Sequence, residues 1–529
     1  MSKQMINGQY IFNMKPNGNT FIRRHDLTPS IRLYIAAAAL MAQVNRTWGK
    51  LTEISQQFMV SRTFVYMLIA LLEENSSVIF GDNHSDPGVE EKRLAFYYML
   101  SLRLEGHCSL EAISTIMKRF GKELSSVGSI SQYLNYFGSL VPNTLSTDEI
   151  SLLVTFASDE IFSKSIPILV TVEPISSAIL KIELADNRKA DQWKKHWECL
   201  EKNGYYAIYL VSDEGIGICT AHEEALSDIK RQPDTYHAIA HCLGLWCHYL
   251  ESTAYKAIED EHNCWKKLDS AKSDKVINKR VDKYVVMEKD TIVKIGIYED
   301  FHFLYLCLVE ELKVFDKTGN LRNRKKAEGN IHAALDLIET LNNAKLTKAV
   351  EKIRRTMPDL LNYFDTAQSI VSDLMTLSID EDALRTLCLA WQWGKEVIKA
   401  KNVKARHYRS IQEKFYLELA ECCIHENYDL IKKQVFMKLD HIVQSSAMVE
   451  CINSIIRPYL NTSKNHVTQE MLNLIMFYHN HRRYINGKRK DKTPFEILTG
   501  KKQEKDWLEL LFDIVEQKDP SFFPQSIKS

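Results

Sequence analysis

The sequence lacks the features that mark several large classes of protein. Its apolar runs, such as LYIAAAALMAQV and LVTFA, are too short to span a membrane. The first residues, MSKQMINGQYIFNMKPNG, have no apolar segment of the kind found in signal peptides. The eleven cysteines include no CxxC pair, which favours reduced and buried thiols over a disulfide framework. These absences predict a cytoplasmic protein without a membrane partner.

The net charge of the chain is zero, because 68 basic residues balance 68 acidic residues. Taken alone, this balance argues against a nucleic-acid-binding chain. The basic residues are nevertheless clustered at residues 316–326, 395–409 and 482–502, and the last cluster has eight basic and two acidic residues. Such clusters are commonly solvated surface, and the alternative is contact with a polyanion. The candidates for phosphate contact in the last cluster are Arg482, Arg483, Lys488, Arg489 and Lys490.

Length and changes of pattern predict a chain of several folded regions. With 529 residues, 45% apolar and 26% charged, it exceeds one ordinary core. We predict a helical helix-turn-helix region, a second region like it, an α/β core, an all-α insertion and a return to the core with a basic end. The boundaries of these five regions are 1–85, 86–145, 146–240, 241–440 and 441–529.

The first region carries a candidate helix-turn-helix. Leu51, Ile54 and Phe58 share one helical face, and Ser61 after a short turn is a candidate N-cap for the next helix. In such motifs the exposed start of the second helix contacts DNA, and here it carries Arg62, Thr63 and Tyr66. An ordinary helical hairpin is the alternative.

The second region repeats this pattern. It places Ile113, Ile116 and Phe120 on one face, Gly121 at the break and Ser129 at the start of the next helix. Here, too, a hairpin without DNA contact is the alternative.

Two aspartates follow β-rich segments in the third region. Short strands at 151–162, 167–174 and 178–185 precede a polar helix at 188–202 and a fourth strand at 206–215. We expect Asp159 to end the first strand and Asp213 to end the fourth. If those two strands are neighbours, the two carboxylates converge. Adjacent carboxylates are unfavourable without a cation, and Mg²⁺ prefers oxygen ligands.

A third carboxylate stands on an amphipathic helix near the end of the chain. Val449, Ile452 and Ile456 form its apolar face, whereas the polar face is predicted to carry Glu450, Asn453, Ser454 and Arg457. Three carboxylates can hold two metal ions, which stabilise the attacking and leaving oxygens of a phosphoryl transfer. Arg457 suits phosphate binding.

At these motifs the sequence resembles bacterial DDE transposases, which are relatives of retroviral integrases with a ribonuclease-H-like core. The segments that carry the resemblance are SDEIF, PILVTVEPIS and LVSDEGIG, and then SSAMVECINSIIRPYL and MFYHNHRRYINGKRKDKTPFEILTG. They cover residues 150–215 and 441–500. The resemblance implies that Asp159, Asp213 and Glu450 bind two Mg²⁺ ions, with Mn²⁺ as a substitute, and that Arg457 holds DNA near the site.

The resemblance further implies cleavage of double-stranded DNA at terminal inverted repeats, followed by strand transfer into target DNA. It implies a homodimer or larger homo-oligomer associated with the nucleoid. Two alternatives remain open. One is a domesticated, catalytically silent DNA-binding protein, and the other is a ribonuclease-H-like nuclease that does not join strands.

Four further residues have open alternatives. Glu173 is the rival of Asp159 for the first carboxylate position, whereas Glu160 is expected to face away from Asp159 by strand alternation. His237 lies one turn from His241 and near Cys242, so it is a candidate for zinc binding, for a role near the scissile phosphate, or for packing. Trp391 and Trp393 are candidates for stacking on a DNA base or for core packing.

Overall fold

The computed structural model describes residues 3–6, 9–12, 26–80, 87–147, 151–341, 343–377 and 379–522. Contacts divide the chain into two compact units, with the division between Glu90 and Glu91. None of the helices in the described ranges is long and apolar enough to cross a membrane.

The first unit contains a strand pair and three helices. The strands Lys3–Ile6 (β1) and Gln9–Phe12 (β2) pair in antiparallel fashion, which corrects the prediction of an entirely helical N-terminal region. The helices are Pro29–Val44 (α1), Lys50–Gln57 (α2) and Arg62–Phe80 (α3). Ser61 caps α3 as expected, because its Oγ accepts a hydrogen bond from the Phe64 amide at 3.1 Å. Ile54 and Val65 are buried in the small core of these helices.

The second unit opens with three helices. They are Pro87–Leu104 (α4), which crosses the division, Leu110–Arg119 (α5) and Val127–Leu140 (α6). Helix α6 begins earlier than predicted, because Ser126 rather than Ser129 is its N-cap. Ile113 is buried as expected, whereas Phe120 is 59% exposed and does not belong to the predicted apolar face.

A five-stranded mixed sheet follows. Its strands are Leu152–Ser163 (β3), Ile166–Val172 (β4), Ile179–Leu184 (β5), Tyr205–Ser212 (β6) and Arg231–Pro233 (β7). The order is β5-β4-β3-β6-β7, and β3 is antiparallel to β4 but parallel to β6. Strands β3 and β6 pair directly, which confirms the prediction that the first and fourth core strands are neighbours. The three-residue strand β7 was not predicted, since it is too short for a periodic signal.

Helices cover both faces of this sheet. Ala190–Lys202 (α7) and Ile216–Ala225 (α8) follow β5 and β6. Val154 and Phe156 pack with Trp193 and Trp197 of α7, so the even-numbered side chains of β3 face that helix. The odd-numbered side chains of β3 therefore point to the other face.

The long segment between the sheet and the final helices is helical, as predicted. A π-helical turn, Tyr236–His241, leads directly into the first of eight helices that share one apolar core. These helices are Cys242–Asp269 (α9), Asp274–Glu311 (α10), Arg324–Glu339 (α11), Ala344–Leu360 (α12), Tyr363–Met375 (α13), Glu381–Lys399 (α14), Val403–Ile424 (α15) and Tyr428–Leu439 (α16).

The chain then returns to the sheet. The returning helices are Ala447–Thr462 (α17), Gln469–His481 (α18), Pro494–Thr499 (α19) and Trp507–Lys518 (α20). Helix α17 contacts β3 and β4, and α18 contacts β5. Helix α17 does not end before Pro458 but continues to Thr462.

Candidate active site

The backbone brings Asp159 and Asp213 together. Ser158 of β3 is the register partner of Ser212 of β6, so the aspartate that follows each serine lies at the same level of the sheet. Asp213 directly follows β6, as predicted. Asp159 does not end its strand, because β3 continues to Ser163 through pairing with β4.

Helix α17 packs on the face of the sheet to which the odd-numbered side chains of β3 point, opposite to α7. The Asn453 Nδ2 donates a hydrogen bond to Asp159 Oδ2 at 2.8 Å, although the two residues are 294 positions apart in sequence. Val449, Ile452 and Ile456 are buried, which confirms the predicted apolar face. Asn453 is only 3% exposed, so this member of the predicted polar face is covered by the sheet and not by solvent.

The pKa of Asp159 is raised by its burial and by neighbouring carboxylates. Burial raises its pKa most, the charge of Asp213 raises it further, and Glu160 and Glu450 add to the effect, against a hydrogen bond from the Glu160 amide. The resulting pKa is about 7. Because negative charge at this position is unfavourable, a bound cation would relieve the repulsion.

Glu450 lies in the first turn of α17 and also contacts the π-helical turn. Its Oε1 is 2.6 Å from His237 Nε2. Desolvation lowers the pKa of His237, but the hydrogen bond to Glu450 and the charges of Asp234, Glu450 and Asp213 outweigh it, so the pKa is raised. Glu450 is exposed, unlike Asp159.

Asp234, His237 and Glu450 form a group that could hold a metal ion. Each offers a ligand atom, and these atoms lie within 4.8 Å of one another. Asp159 and Asp213 do not belong to this group in the described part of the chain. Asp234 is also structural, because its carboxylate accepts hydrogen bonds from the amides of His237 at 2.9 Å and Ser446 at 2.7 Å. It therefore fixes the π-helical turn to the start of α17.

The donor chemistry around Asp159 also fits a hard cation. Asp159, Asp213 and Glu450 supply carboxylate oxygens, the ligands that Mg²⁺ and Mn²⁺ accept. Asn453 Oδ1 is buried beside Asp159 and, within the described residues, lacks a hydrogen-bond partner. Such an oxygen suits a water molecule or a cation's hydration shell.

The rival carboxylate, Glu173, stabilises its own turn. It is buried, and it accepts hydrogen bonds from the amides of Ile175 at 3.0 Å and Ser176 at 2.6 Å. Glu160 pairs instead with Arg188 at 2.9 Å, away from the Asn453 that contacts Asp159. Different partners for Asp159 and Glu160 agree with the expected alternation.

The basic candidates differ in their availability. Arg483 pairs with Glu496 at 2.9 Å, and Arg489 donates to the carbonyl of Ile175 at 2.6 Å, so both guanidinium groups hold parts of the fold together. Arg482 lies over the Tyr478 ring. Arg483 is exposed but paired, and the other exposed basic candidates of the second unit are Lys488, Lys490 and Arg457.

The candidates in the first unit are all at the surface. Arg62, Thr63 and Tyr66 are exposed in the first turns of α3.

The two tryptophans belong to the helical insertion. Trp391 is buried, and its Nε1 donates to Asp440 Oδ1 at 2.9 Å, as expected for core packing. Trp393 is partly exposed and lies 6.1 Å from the Tyr408 ring. His241 contacts the His237 ring at 5.6 Å, but the metal-competent group includes neither His241 nor Cys242.

Sequence reasoning missed Asp234, Ser446 and the ion pair of Glu214 with Lys352 at 2.7 Å. Asp234 had a local signal, since aspartate is favoured just before a helical turn, where its carboxylate accepts a hydrogen bond from an amide of the first turn. Lys352 had none, because its helix lies more than a hundred residues further along the chain.

Family models and curated proteins were both compared with this chain, and none of them matches.

Proposed function

We propose that the chain is a DDE transposase that cleaves DNA at transposon ends and transfers the cut strand into target DNA. The observation that supports the proposal is the alignment of Asp159 and Asp213 at one level of the neighbouring strands β3 and β6, with Asn453 of the Glu450 helix against Asp159. Asp213, Glu160 and Glu450 all act to raise the pKa of Asp159. Structural ion pairs rarely leave three like charges together. Three such charges are the arrangement that a cation-dependent phosphoryl transfer needs.

The strand order supports assignment of the core to the ribonuclease-H-like class. An antiparallel meander is followed by two strands parallel to the first of its strands. The all-α segment from α9 to α16 then interrupts this core before α17 brings Glu450 to the sheet. The sequence resemblance to transposases covers these same two parts of the chain.

Asp159, Asp213 and Glu450 would hold Mg²⁺ or Mn²⁺, which when bound neutralises phosphate charge during transfer. Asn453 fixes the Asp159 carboxylate, and His237 fixes that of Glu450. Asp234 holds both helical segments in place through its buried carboxylate. Lys488, Lys490 and Arg457 are exposed and available to DNA phosphates.

The test is a cleavage and joining assay with purified protein, Mg²⁺ or Mn²⁺, and labelled DNA that carries the inverted repeats flanking the gene. We expect cleavage with a free 3′-hydroxyl and then joining to a second DNA. Asp213→Asn should abolish both activities. The matched control is Asp228→Asn, which changes an exposed aspartate in the loop before β7 and should leave both unchanged.

The outcomes separate the proposal from its alternatives. Cleavage without joining would instead support a nuclease of the same class. Specific binding of the repeats without cleavage under any divalent cation would support a catalytically silent DNA-binding protein. Either result overturns the proposal.

A further inference from the structure

The helices α9 and α10 form an antiparallel hairpin whose far part packs only on itself. Between residues 251 and 300, all described, the buried residues are Ala254, Ala257, Cys264 and Thr291. The three from α9 recur at spacings of three and seven, as in a coiled-coil seam. Thr291 Oγ1 closes this seam by donating to the Ala257 carbonyl at 3.2 Å.

One flank of this hairpin is apolar and exposed. On α9, three residues each come directly after a buried seam residue. On α10, three residues each come directly after a residue that faces α9, namely Arg280, Tyr284 or Thr291. We call these six the apolar flank: Tyr255, Ile258, Trp265, Val281, Val285 and Ile292, each of them exposed. Each helical residue turns by about 100°. In an antiparallel pair, the residues that follow the seam therefore lie on the same side of both helices.

This flank is unusual for a surface that faces only water. Tyr255 is 68% exposed and Ile292 is 64% exposed. A contiguous apolar strip of this kind, bordered by charged residues, marks an interaction surface. Its length along α9, from Tyr255 to Trp265, is about 15 Å at 1.5 Å per residue.

The charge of the hairpin is divided along its length. The tip, residues 266–283, has seven basic and three acidic residues. The stem, residues 251–261 and 284–300, has eight acidic and three basic residues. A second hairpin that lies antiparallel to the first would place its basic tip on the acidic stem, and the same contact would form twice across a two-fold axis.

We propose that the apolar flank binds the apolar flank of a second copy of this chain, hairpin against hairpin in antiparallel orientation. The occupant is a second copy because the hairpin is electrostatically complementary to itself only in that orientation. A polyanion would match the tip alone and would leave the stem and the flank unused. This inference concerns assembly, so it stands or falls independently of the proposed cleavage activity.

The first test measures the mass of the full chain by sedimentation equilibrium. We expect a dimer that Val285→Glu and Ile292→Glu each weaken at least 100-fold in dissociation constant. The matched controls are Val286→Glu and Val293→Glu, which change exposed neighbours on the opposite flank of α10 and should leave the dimer intact. Circular dichroism checks that all four variants remain folded, as exposed positions should allow.

The second test addresses orientation. Reversing two tip charges, with Lys275→Glu and Lys279→Glu, should weaken the dimer about tenfold. Reversing two stem charges, with Glu259→Lys and Glu288→Lys, should weaken it similarly. The combined variant should regain affinity, because each reversed tip meets a reversed stem. A monomeric wild type, equal effects on both flanks, or no recovery in the combined variant would each overturn the proposal.

Discussion

At the scale of single residues, the candidate site depends on contacts that fix carboxylates. Asn453 is buried and holds Asp159, whereas His237 holds Glu450 at 2.6 Å. The Asn453 contact adds no charge to the site, whereas the Glu450 contact favours the protonated form of His237. Each restricts the direction in which a carboxylate presents its oxygens, and such orienting contacts commonly matter almost as much as the ligands themselves.

Asn453→Ala should reduce DNA cleavage about 10- to 100-fold. The reason is the loss of a hydrogen bond to a charged group, which contributes roughly 1.5–3 kcal/mol, and each 1.4 kcal/mol corresponds to about tenfold in rate. The measurement is the single-turnover cleavage rate. Ser454→Ala is the control, since the Ser454 hydroxyl is exposed and bonds to its own helix. Equal rates for the two variants would contradict the orienting role.

His479 predicts a pH dependence of stability. Burial, and next the charge of Arg482, lower its pKa to about 4. The folded chain keeps His479 neutral while the unfolded chain binds a proton below about pH 6.5. The stabilising contribution is therefore complete above pH 6.5 and is lost as the pH falls from 6.5 to 4, by on the order of 3 kcal/mol.

The measurement is the free energy of unfolding by urea at pH 7.5 and pH 5.0. His479→Gln removes the titrating ring and should reduce the difference between the two values. His248→Gln changes an exposed histidine and should reproduce the wild-type difference. A His479→Gln chain with the full wild-type difference would show that this ring does not titrate as argued.

At the scale of elements, close packing of helices joins α6, which precedes the sheet, to α18, which follows the helical insertion. Helix α18 packs on α6 at Gly138, where an added Cβ would lie 2.0 Å from the Glu470 carbonyl oxygen. Backbone cannot move aside as a flexible side chain does. The glycine is therefore required for this contact.

Gly138→Ala should destabilise the second unit by about 1–3 kcal/mol or more, as overpacking does. Gly128→Ala is a matched change in the same helix, where the nearest atom is Ser126 Oγ at 3.9 Å. It should be neutral or stabilise by about 0.5 kcal/mol, because alanine loses less backbone freedom than glycine. Thermal unfolding of both variants measures the difference, and similar melting temperatures would disprove the close contact.

Local patterns predicted the elements better than their ends. The β-rich segment at 151–162 predicted β3, but Asp159 does not end this strand, because β3 pairs with β4 as far as Ser163. The prediction of Ser61 as an N-cap is confirmed, whereas α6 begins after Ser126 and not at the predicted Ser129. Helix α17 also continues through Pro458 to Thr462, while it packs against β3 and β4.

At the scale of the whole molecule, the site is assembled from distant parts of the chain. Asp234 and Ser446 are 212 residues apart, and Lys352 reaches Glu214 from the helical insertion. A buried aspartate and an exposed one look alike in sequence. The motifs could therefore identify Asp159, Asp213 and Glu450 as candidates, but not the residues that hold them.

A cluster of like charges should cost stability. Burial and the charge of Asp213 raise the pKa of Asp159 to about 7 in the folded chain. The free energy of unfolding therefore falls as the pH rises from about 4 towards 7, and the loss is complete above pH 7. In EDTA at pH 8, Asp213→Asn should stabilise the protein by about 1 kcal/mol, and at pH 5 it should not. Differential scanning calorimetry measures this. Asp228→Asn should have no effect at either pH, and an unstabilised Asp213→Asn would contradict the repulsion.

If Asp159, Asp213 and Glu450 share one cation site, Fe²⁺ bound there can map it. With Fe²⁺, ascorbate and peroxide, hydroxyl radicals cut the backbone near the bound ion. We expect cuts close to residues 159, 213 and 450, all of which Mg²⁺ in excess suppresses and Asp213→Asn weakens together. Cuts confined to residues 234–241 and 450, with none at 159 or 213, would assign the cation to Asp234, His237 and Glu450 alone and contradict the account.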